Sequence, residues 1–311
     1  GAQEFLSNSM NITNDQISAA LNGDSGIATG DNYKNIRVWS QVIGKTASQG
    51  YRDGIEGYNL DSYGVSFGAD KLLGDNDDSL AGLAFSYGKT DVDSNNINRT
   101  SSDISSYQLT AYGNHKLHDN LNLNMQLSYA YNDINTTRYN VGLLGNNAKA
   151  DISANIYAFR AGLSRDFYFK DNVRFAPSLV MNHSHYRSSD YEETGAGALN
   201  LKVEDETMRV FEIGVNFELG KDIIFADNTR LSPEVKFGYS YDFIGDTFEA
   251  ATNFSSGAPV SGADPAQSSY RFGTGFDYEL RNNWEVSFSY EYEYKQDFNS
   301  NASMARALYR L

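Results

Sequence analysis

The sequence of 311 residues contains no cysteine, only four prolines and no uninterrupted apolar stretch long enough for a membrane helix. Without cysteine, disulfides and thiol chemistry are excluded. Scarce proline favours long strands, because proline removes a donor from the hydrogen-bond ladder. The missing apolar stretch excludes transmembrane helices but not a membrane, because a transmembrane barrel crosses with alternating strands of ~9–11 residues.

Basic residues are also few, with 25 Lys and Arg against 40 Asp and Glu and a net charge of -15. A protein that binds nucleic acid needs a basic face, so nucleic acid is not an expected partner. The sequence has no phosphate-binding loop and no zinc-ligand spacing, and we therefore expect no cofactor and no metal.

Long segments in which apolar and polar residues alternate strictly cover the chain from Arg37 to its last residue. Between Trp284 and Lys295, for example, Trp and Tyr side chains share one face, and Glu, Ser and Lys share the other. This period of two is that of a strand with one apolar and one polar face.

Short Asx turns separate these segments, and Asn and Asp favour such turns because their side chains bond the local backbone. Longer polar connections alternate with the turns, so the sequence predicts about twelve antiparallel strands with turns at one rim and loops at the other. The turns are Asp75-Asn76, Asp119-Asn120, Asp171-Asn172, Asp227-Asn228 and Asn282-Asn283. The loops are Ala47–Tyr58, Asp93–Ser102, Thr136–Ala150, Ser188–Glu204 and Asp246–Ser268, with a short one near Ser300.

Alternation alone is also compatible with a soluble sandwich that has its apolar face inside. Three features favour a membrane barrel: strands too numerous for an open sheet, aromatic residues near strand ends, and a polar face with charges of both signs. We therefore predict a polar lumen wall. Its charged members are Arg37, Arg160, Glu212, Glu218, Lys236, Arg271, Asp277, Glu285 and Glu291.

The first residues differ from the rest. Thr13-Asn14-Asp15-Gln16 fits a capping box, and Ile17, Ala20 and Leu21 follow at helical spacing, so a short helix is predicted before Asn22-Gly23. The segment Gly1 to Phe5 lacks the basic start and apolar stretch of a signal peptide. We expect the chain to be a piece of a longer protein.

Several motifs resemble the C-terminal translocator domain of autotransporters of type V secretion, and the resemblance runs over nearly the whole chain. The terminal Tyr309-Arg310-Leu311 is similar to the family's strand signal for outer-membrane assembly, although Leu replaces the usual Phe or Trp. Ser40 stands where the family more often has Gly. The motifs are Trp39-Ser40-Gln41, Gly44, Asp53, Gly57-Tyr58, Gly64 to Asp70, and Leu80 to Ala84.

The resemblance implies an all-β, twelve-stranded, antiparallel up-and-down barrel in the outer membrane of a Gram-negative bacterium, with an N-terminal α-helix in its lumen. Residues 1–34 would be the linker and plug, and residues 35–311 the translocator. Implied partners are outer-membrane lipid, the assembly machinery that reads Tyr309 and Leu311, and the chain's own passenger; a monomer is expected. The plug residues are Thr13, Asn14, Asp15, Gln16, Ser18, Ala19 and Ala20.

Some relatives cut the passenger free at an Asn within the plug helix. Asn8, Asn11 and Asn14 are cleavage candidates by residue type alone. None belongs to an Asn-Asn pair, and we do not expect self-cleavage.

Two other functions are compatible with a barrel. A diffusion channel for small solutes would conduct equally well with or without its N-terminal residues. An outer-membrane hydrolase is less favoured, because His183-Ser184-His185 is the only His cluster, without a third ligand, and no Gly-x-Ser-x-Gly elbow occurs. We expect no enzymatic activity and no catalytic residue.

Overall fold

The computed structural model describes residues 36–311 except 53, 55, 74–77, 96–98, 119, 144, 246–248, 251–259 and 262–264. The described residues are mostly in strands. The helix predicted at residues 13–22 lies outside them. Among the described helical turns, none is long and apolar enough to span a membrane.

Twelve long strands in the described ranges form one closed antiparallel barrel, which confirms the predicted architecture. Each strand pairs with the next, and the last pairs with the first, so the barrel has no open edge. The strands are β1 (Ile36–Gln49), β2 (Tyr58–Leu73), β3 (Ser79–Ser94), β4 (Thr100–His118), β5 (Leu121–Val141), β6 (Asn146–Arg165), β7 (Val173–Ser188), β8 (Thr207–Lys221), β9 (Arg230–Asp242), β10 (Ser268–Glu279), β11 (Trp284–Lys295) and β12 (Phe298–Arg310).

The seam between β1 and β12 is paired along its whole length. Arg37 lies opposite Arg310 at one end and Gln49 lies opposite Phe298 at the other. The N–H of Leu311 donates to the carbonyl oxygen of Ile36 at 2.9 Å. Both ends of the barrel sequence therefore lie at the same rim.

That rim, which we call the turn rim, also carries the predicted Asx turns that the structure describes; Asp75, Asn76 and Asp119 lie outside the described residues. Asp and Asn tolerate left-handed backbone better than other non-glycine residues, which explains their recurrence. At Asp227, hydrogen bonds from the Thr229 side chain and N–H hold the pKa of the carboxyl below its usual value. The turn residues with positive φ are Asn120, Asp171, Asn172, Asn228, Asn282 and Asn283.

The opposite rim, the loop rim, differs from the prediction near Ser300 and at residues 136–150. Ser300 lies within β12, where it pairs with Ala47, and the turn before β12 is at Gln296 and Asp297. Residues 136–150, predicted as a loop, form the end of a hairpin in which Arg138 pairs with Ala148 and Val141 with Asn146. The loop 189–206 stabilises this hairpin. Ala196 of the loop packs on Val141 and Ala148 of the hairpin, and Glu193 pairs with Arg138 at 2.6 Å. This tertiary support is not visible in the local sequence.

Short elements complete the described chain. Phe167–Phe169 pairs with the start of β7, and Ile223–Ile224 pairs with β9. Two small ribbons join Tyr191–Glu192 to Lys202–Val203 and Glu249–Ala250 to Val260–Ser261. The 3₁₀ turns are Lys170–Asn172 and Gly197–Leu199.

The distribution of side chains is the reverse of that in a soluble protein. On β5, the inward-facing Gln126 and Asn132 are 1% and 0% exposed, whereas the outward-facing Leu127 is 63% exposed. The same alternation holds on β1, where Gln41 is buried and Val42 exposed. A continuous apolar outer band of this kind is compatible with lipid rather than water.

Candidate functional site: the lumen wall

The inward face of the barrel contains all the charged residues predicted for the lumen. Each occupies an inward position in the alternation of its strand, and Arg37, Arg160, Arg271 and Glu285 are buried. Most of the charge lies on β7 to β12, which we call the charged wall. The predicted residues are Arg37, Arg160, Glu212, Glu218, Lys236, Arg271, Asp277, Glu285 and Glu291.

A buried network joins β1, β2 and β4 near the turn rim. The indole N–H of Trp39 donates to the Tyr112 hydroxyl at 2.7 Å, which donates to Asp70 Oδ2 at 2.8 Å. Arg37 Nε donates to Asp70 Oδ1 at 2.5 Å. Every charge in this network has an opposite charge or a hydrogen bond, as buried polar groups require.

Two glycines on neighbouring strands make room for the rings of this network. A Cβ atom at Gly68 would lie 2.2 Å from Trp39 Cζ2, and one at Gly82 would lie 2.5 Å from Tyr112 Cζ. The resemblance motifs from Trp39 to Ala84 therefore meet in space, since Trp39, Gly68, Asp70 and Gly82 all belong to them.

The last strand carries two arginines that point into the lumen. Arg306 donates to Glu285 at 2.6 Å and to Ser287 at 2.9 Å. Arg310 donates to Glu285 at 2.6 Å and to Glu279 at 2.9 Å. These ion pairs join β12 to β10 and β11 through side chains as well as through the backbone.

A second ion-pair group lies toward the turn-rim end of β7 to β9. Arg174 pairs with Glu218 and, at 3.1 Å, with Asp166, which follows β6. Lys236 pairs with Glu234 at 2.8 Å. The charged wall is thus largely self-compensating, because cations and carboxylates from neighbouring strands alternate.

The inward face of β3 to β5 has a different character, and we call it the uncharged wall. Its middle is built from small hydroxyl and amide side chains that bond one another. Ser66 of β2 donates to Ser86 at 2.7 Å, and Ser106 donates to Asn132 at 2.6 Å.

Sequence reasoning missed several members of the wall. Trp39 and Asp70 were noted only as family motifs, and Tyr112 was not singled out. Arg306 and Arg310 alternate with Ala305 and Ala307 in the sequence, which was a sufficient signal for their inward position.

The predicted assembly signal lies at the seam. Tyr309 faces outward, with its ring centroid 5.0 Å from that of Trp284, and Leu311 is 51% exposed. The plug residues 13–16 and 18–20, and the cleavage candidates Asn8, Asn11 and Asn14, lie outside the described residues.

The His cluster on β7 faces outward. His183 Nδ1 lies 3.0 Å from the Val210 carbonyl oxygen, and its ring lies against Phe211. In the part of the chain that the structure describes, no group of three or more His, Asp or Glu side chains is arranged to hold a metal.

The chain matches a known protein family. A family model described as the autotransporter β-domain matches residues 38–291. Outer membrane protein A of Rickettsia conorii is 24% identical over 244 residues, which cover 75% of this chain and 12% of that protein. The chain therefore spans about an eighth of the length of this curated relative.

Two solved structures share the barrel. The translocator domain of the autotransporter NalP from Neisseria meningitidis superposes with a TM-score of 0.75 at 14% identity, covering 100% of this chain and 98% of that one. The β-domain of the Bordetella autotransporter BrkA gives 0.66 at 15% identity, covering 89% and 100%. At these identities the likeness shows a common fold.

Proposed function

The chain belongs to the autotransporter β-domain family, and from this premise we propose that its lumen is the route by which a passenger preceding residue 1 reaches the cell surface. Family and fold make the chain an outer-membrane translocator domain. The observation that carries the proposed route is the lumen itself, a closed tube lined by hydrogen-bonding side chains on every described long strand.

Such a lining suits a polypeptide in transit. Hydroxyl and amide groups of the uncharged wall exchange hydrogen bonds with a passing backbone, and the self-paired charged wall presents few isolated charges to trap it. We place the turn rim in the periplasm and the loop rim outside, because short turns face the periplasm in bacterial barrels.

The same lumen accommodates the segment that joins passenger and barrel. Residues 1–34 precede β1, whose first residue Ile36 lies at the turn rim. A passenger outside the cell therefore requires this segment to pass through the lumen. We propose that the helix predicted at residues 13–22 remains there as a plug, with Asn14, Asp15 and Gln16 bonding the polar wall.

The seam explains how one chain completes the barrel. Because β12 pairs with β1, the final strand is the last element needed for closure. We propose that the assembly machinery recognises this strand at Tyr309 and Leu311, and that the closed barrel, having no open edge, functions as a monomer. We propose no catalytic role for it.

Planar-bilayer conductance tests the route and the plug. The complete chain should conduct weakly, and residues 35–311 should conduct far more, because the lumen is then empty. A dedicated solute channel would conduct alike in both forms, which would contradict the translocator with a plug.

A further inference from the structure

Apolar clusters interrupt the polar lining of the lumen, among them Ile43 with Met304 on β1 and β12. We call the cluster with the most buried members in the described part of the chain the apolar patch. It occupies inward positions of β4, β5 and β6, where a water-filled barrel has polar side chains. Val92, Ile152 and Tyr186 border it. Its members are Ile104, Ala130, Ile134, Ala154, Ile156 and Ala158, with exposures of 7, 1, 8, 0, 0 and 3%.

The apolar patch is almost completely buried, although it faces the lumen. Ala154 and Ile156 are 0% exposed, although alanine projects only slightly from a strand. Polar side chains beside it on β4 and β5 are buried to the same extent, with Gln108 at 2% and Asn132 at 0% exposure. So little exposure on an inward face is expected where a covering group lies on this part of the wall.

The chain contains a segment suited to this position. Ile17, Ala20 and Leu21 share one face of the predicted helix, and Asp15 is the only charged residue between Phe5 and Gly23. A neutral segment with an apolar face matches the apolar patch better than it matches the charged wall.

The segment is also long enough. Residues 22–35 extend to at most ~45 Å from the turn rim at ~3.3 Å per residue. Ile156 lies ~30 Å along β6 from Arg165 at the same rim. The helix can therefore lie level with the patch without strain.

We propose that Ile17, Ala20 and Leu21 pack against the apolar patch, so that the plug lies off-centre on β4 to β6, and Ser18 faces the charged wall. This assignment rests on the proposed plug and adds its orientation. The exclusion of water from both apolar faces stabilises it.

Paired cysteines in the 311-residue chain test the orientation, because its sequence contains no cysteine. Ala154 on β6 and Ser300 on β12 are small, inward-facing residues on opposite sides of the barrel, with 0% and 3% exposure. Ala20→Cys and Ser18→Cys place a thiol on opposite faces of the predicted helix, and both leave Ile17 and Leu21 unchanged.

The expected result is a disulfide between Ala20→Cys and Ala154→Cys, which is detected as a shift in gel mobility. This disulfide should not form when Ser18→Cys replaces Ala20→Cys or when Ser300→Cys replaces Ala154→Cys. Ser18→Cys should instead join Ser300→Cys. The reverse pairing would overturn the orientation while leaving the plug intact.

Two further outcomes would also overturn the proposal. A disulfide between Ala154→Cys and Phe254→Cys would assign the cover to the long loop between β9 and β10. If the thiols at positions 18 and 20 form no disulfide with either wall and react freely with a soluble maleimide, the proposal that this segment plugs the lumen is contradicted. The conductance of the barrel would still test whether the lumen is the route of the passenger.

Discussion

The indole N–H of Trp39 donates to the hydroxyl of Tyr112 at 2.7 Å, although 73 residues separate the two in sequence. The same hydroxyl donates to Asp70, which pairs with Arg37. Side chains from three strands thus hold one another inside the barrel near the rim where the chain enters and leaves it.

Removing that hydroxyl should weaken the barrel. Tyr112→Phe leaves the Trp39 N–H and one Asp70 oxygen without their partner, at an expected loss of ~1–3 kcal/mol in the free energy of unfolding. Urea titration in lipid vesicles measures the change. Tyr107→Phe, an outward-facing tyrosine on the same strand, is the control and should have little effect. Equal effects of both substitutions would contradict the network.

A methyl group at Gly68 should also destabilise the barrel. The added Cβ would clash with the Trp39 ring, because it would lie 2.2 Å from Cζ2. The indole would then have to move away from its hydrogen-bond partner Tyr112. We expect Gly68→Ala to cost ~1–3 kcal/mol in unfolding titrations. Gly44→Ala on β1 is the matched control, because no atom lies within 4 Å of its added Cβ. A stable Gly68→Ala variant would show that the ring packing is loose.

The ion pairs of β12 should matter more than those at the surface. Arg306→Gln leaves the buried Glu285 with Arg310 as its remaining cation, and an expected ~1–3 kcal/mol of stability is lost. Arg281→Gln breaks an exposed pair with Asp227 at the turn rim and should cause no measurable change. Because Arg306 and Glu285 contact each other, the double variant Arg306→Gln with Glu285→Gln should lose less stability than the sum of the two single losses. A loss equal to that sum would be inconsistent with a mutual pair.

The two tryptophans report on the two faces of the wall. Trp39 faces inward at 5% exposure, and Trp284 faces outward at 46%. Lipids brominated near the headgroup should strongly quench the tryptophan fluorescence of Trp39→Phe, which retains only Trp284. They should hardly quench the fluorescence of Trp284→Phe, which retains only Trp39. Heat-modifiable gel mobility checks that both variants are folded. Equal quenching would place both rings on one side of the wall.

The strands and turns were predictable because their signals are local. Alternation places each side chain on one of two faces, and Asp and Asn identify turns that need positive φ, as at Asn283. The same alternation predicted the charged lumen residues. Arg37 and Glu285 lie on the face of their strands opposite to the apolar residues that contact lipid.

Other features depend on contacts between distant segments. The Arg138 to Glu193 pair extends the hairpin of β5 and β6 beyond its predicted end, and nothing near Arg138 indicates it. Tyr112 has the same local pattern as other aromatic residues, and only the positions of Trp39 and Asp70 give it a role. The apolar patch around Ile156 was missed because alternation was taken to imply a uniformly polar inward face.

Surface delivery of a reporter tests the central claim most directly. A small, protease-sensitive domain placed before residue 1 should be cleaved by protease added to intact cells, while the barrel remains heat-modifiable in the outer membrane. A reporter that stays protected in those cells, although the barrel is folded and inserted, would contradict passage through this lumen.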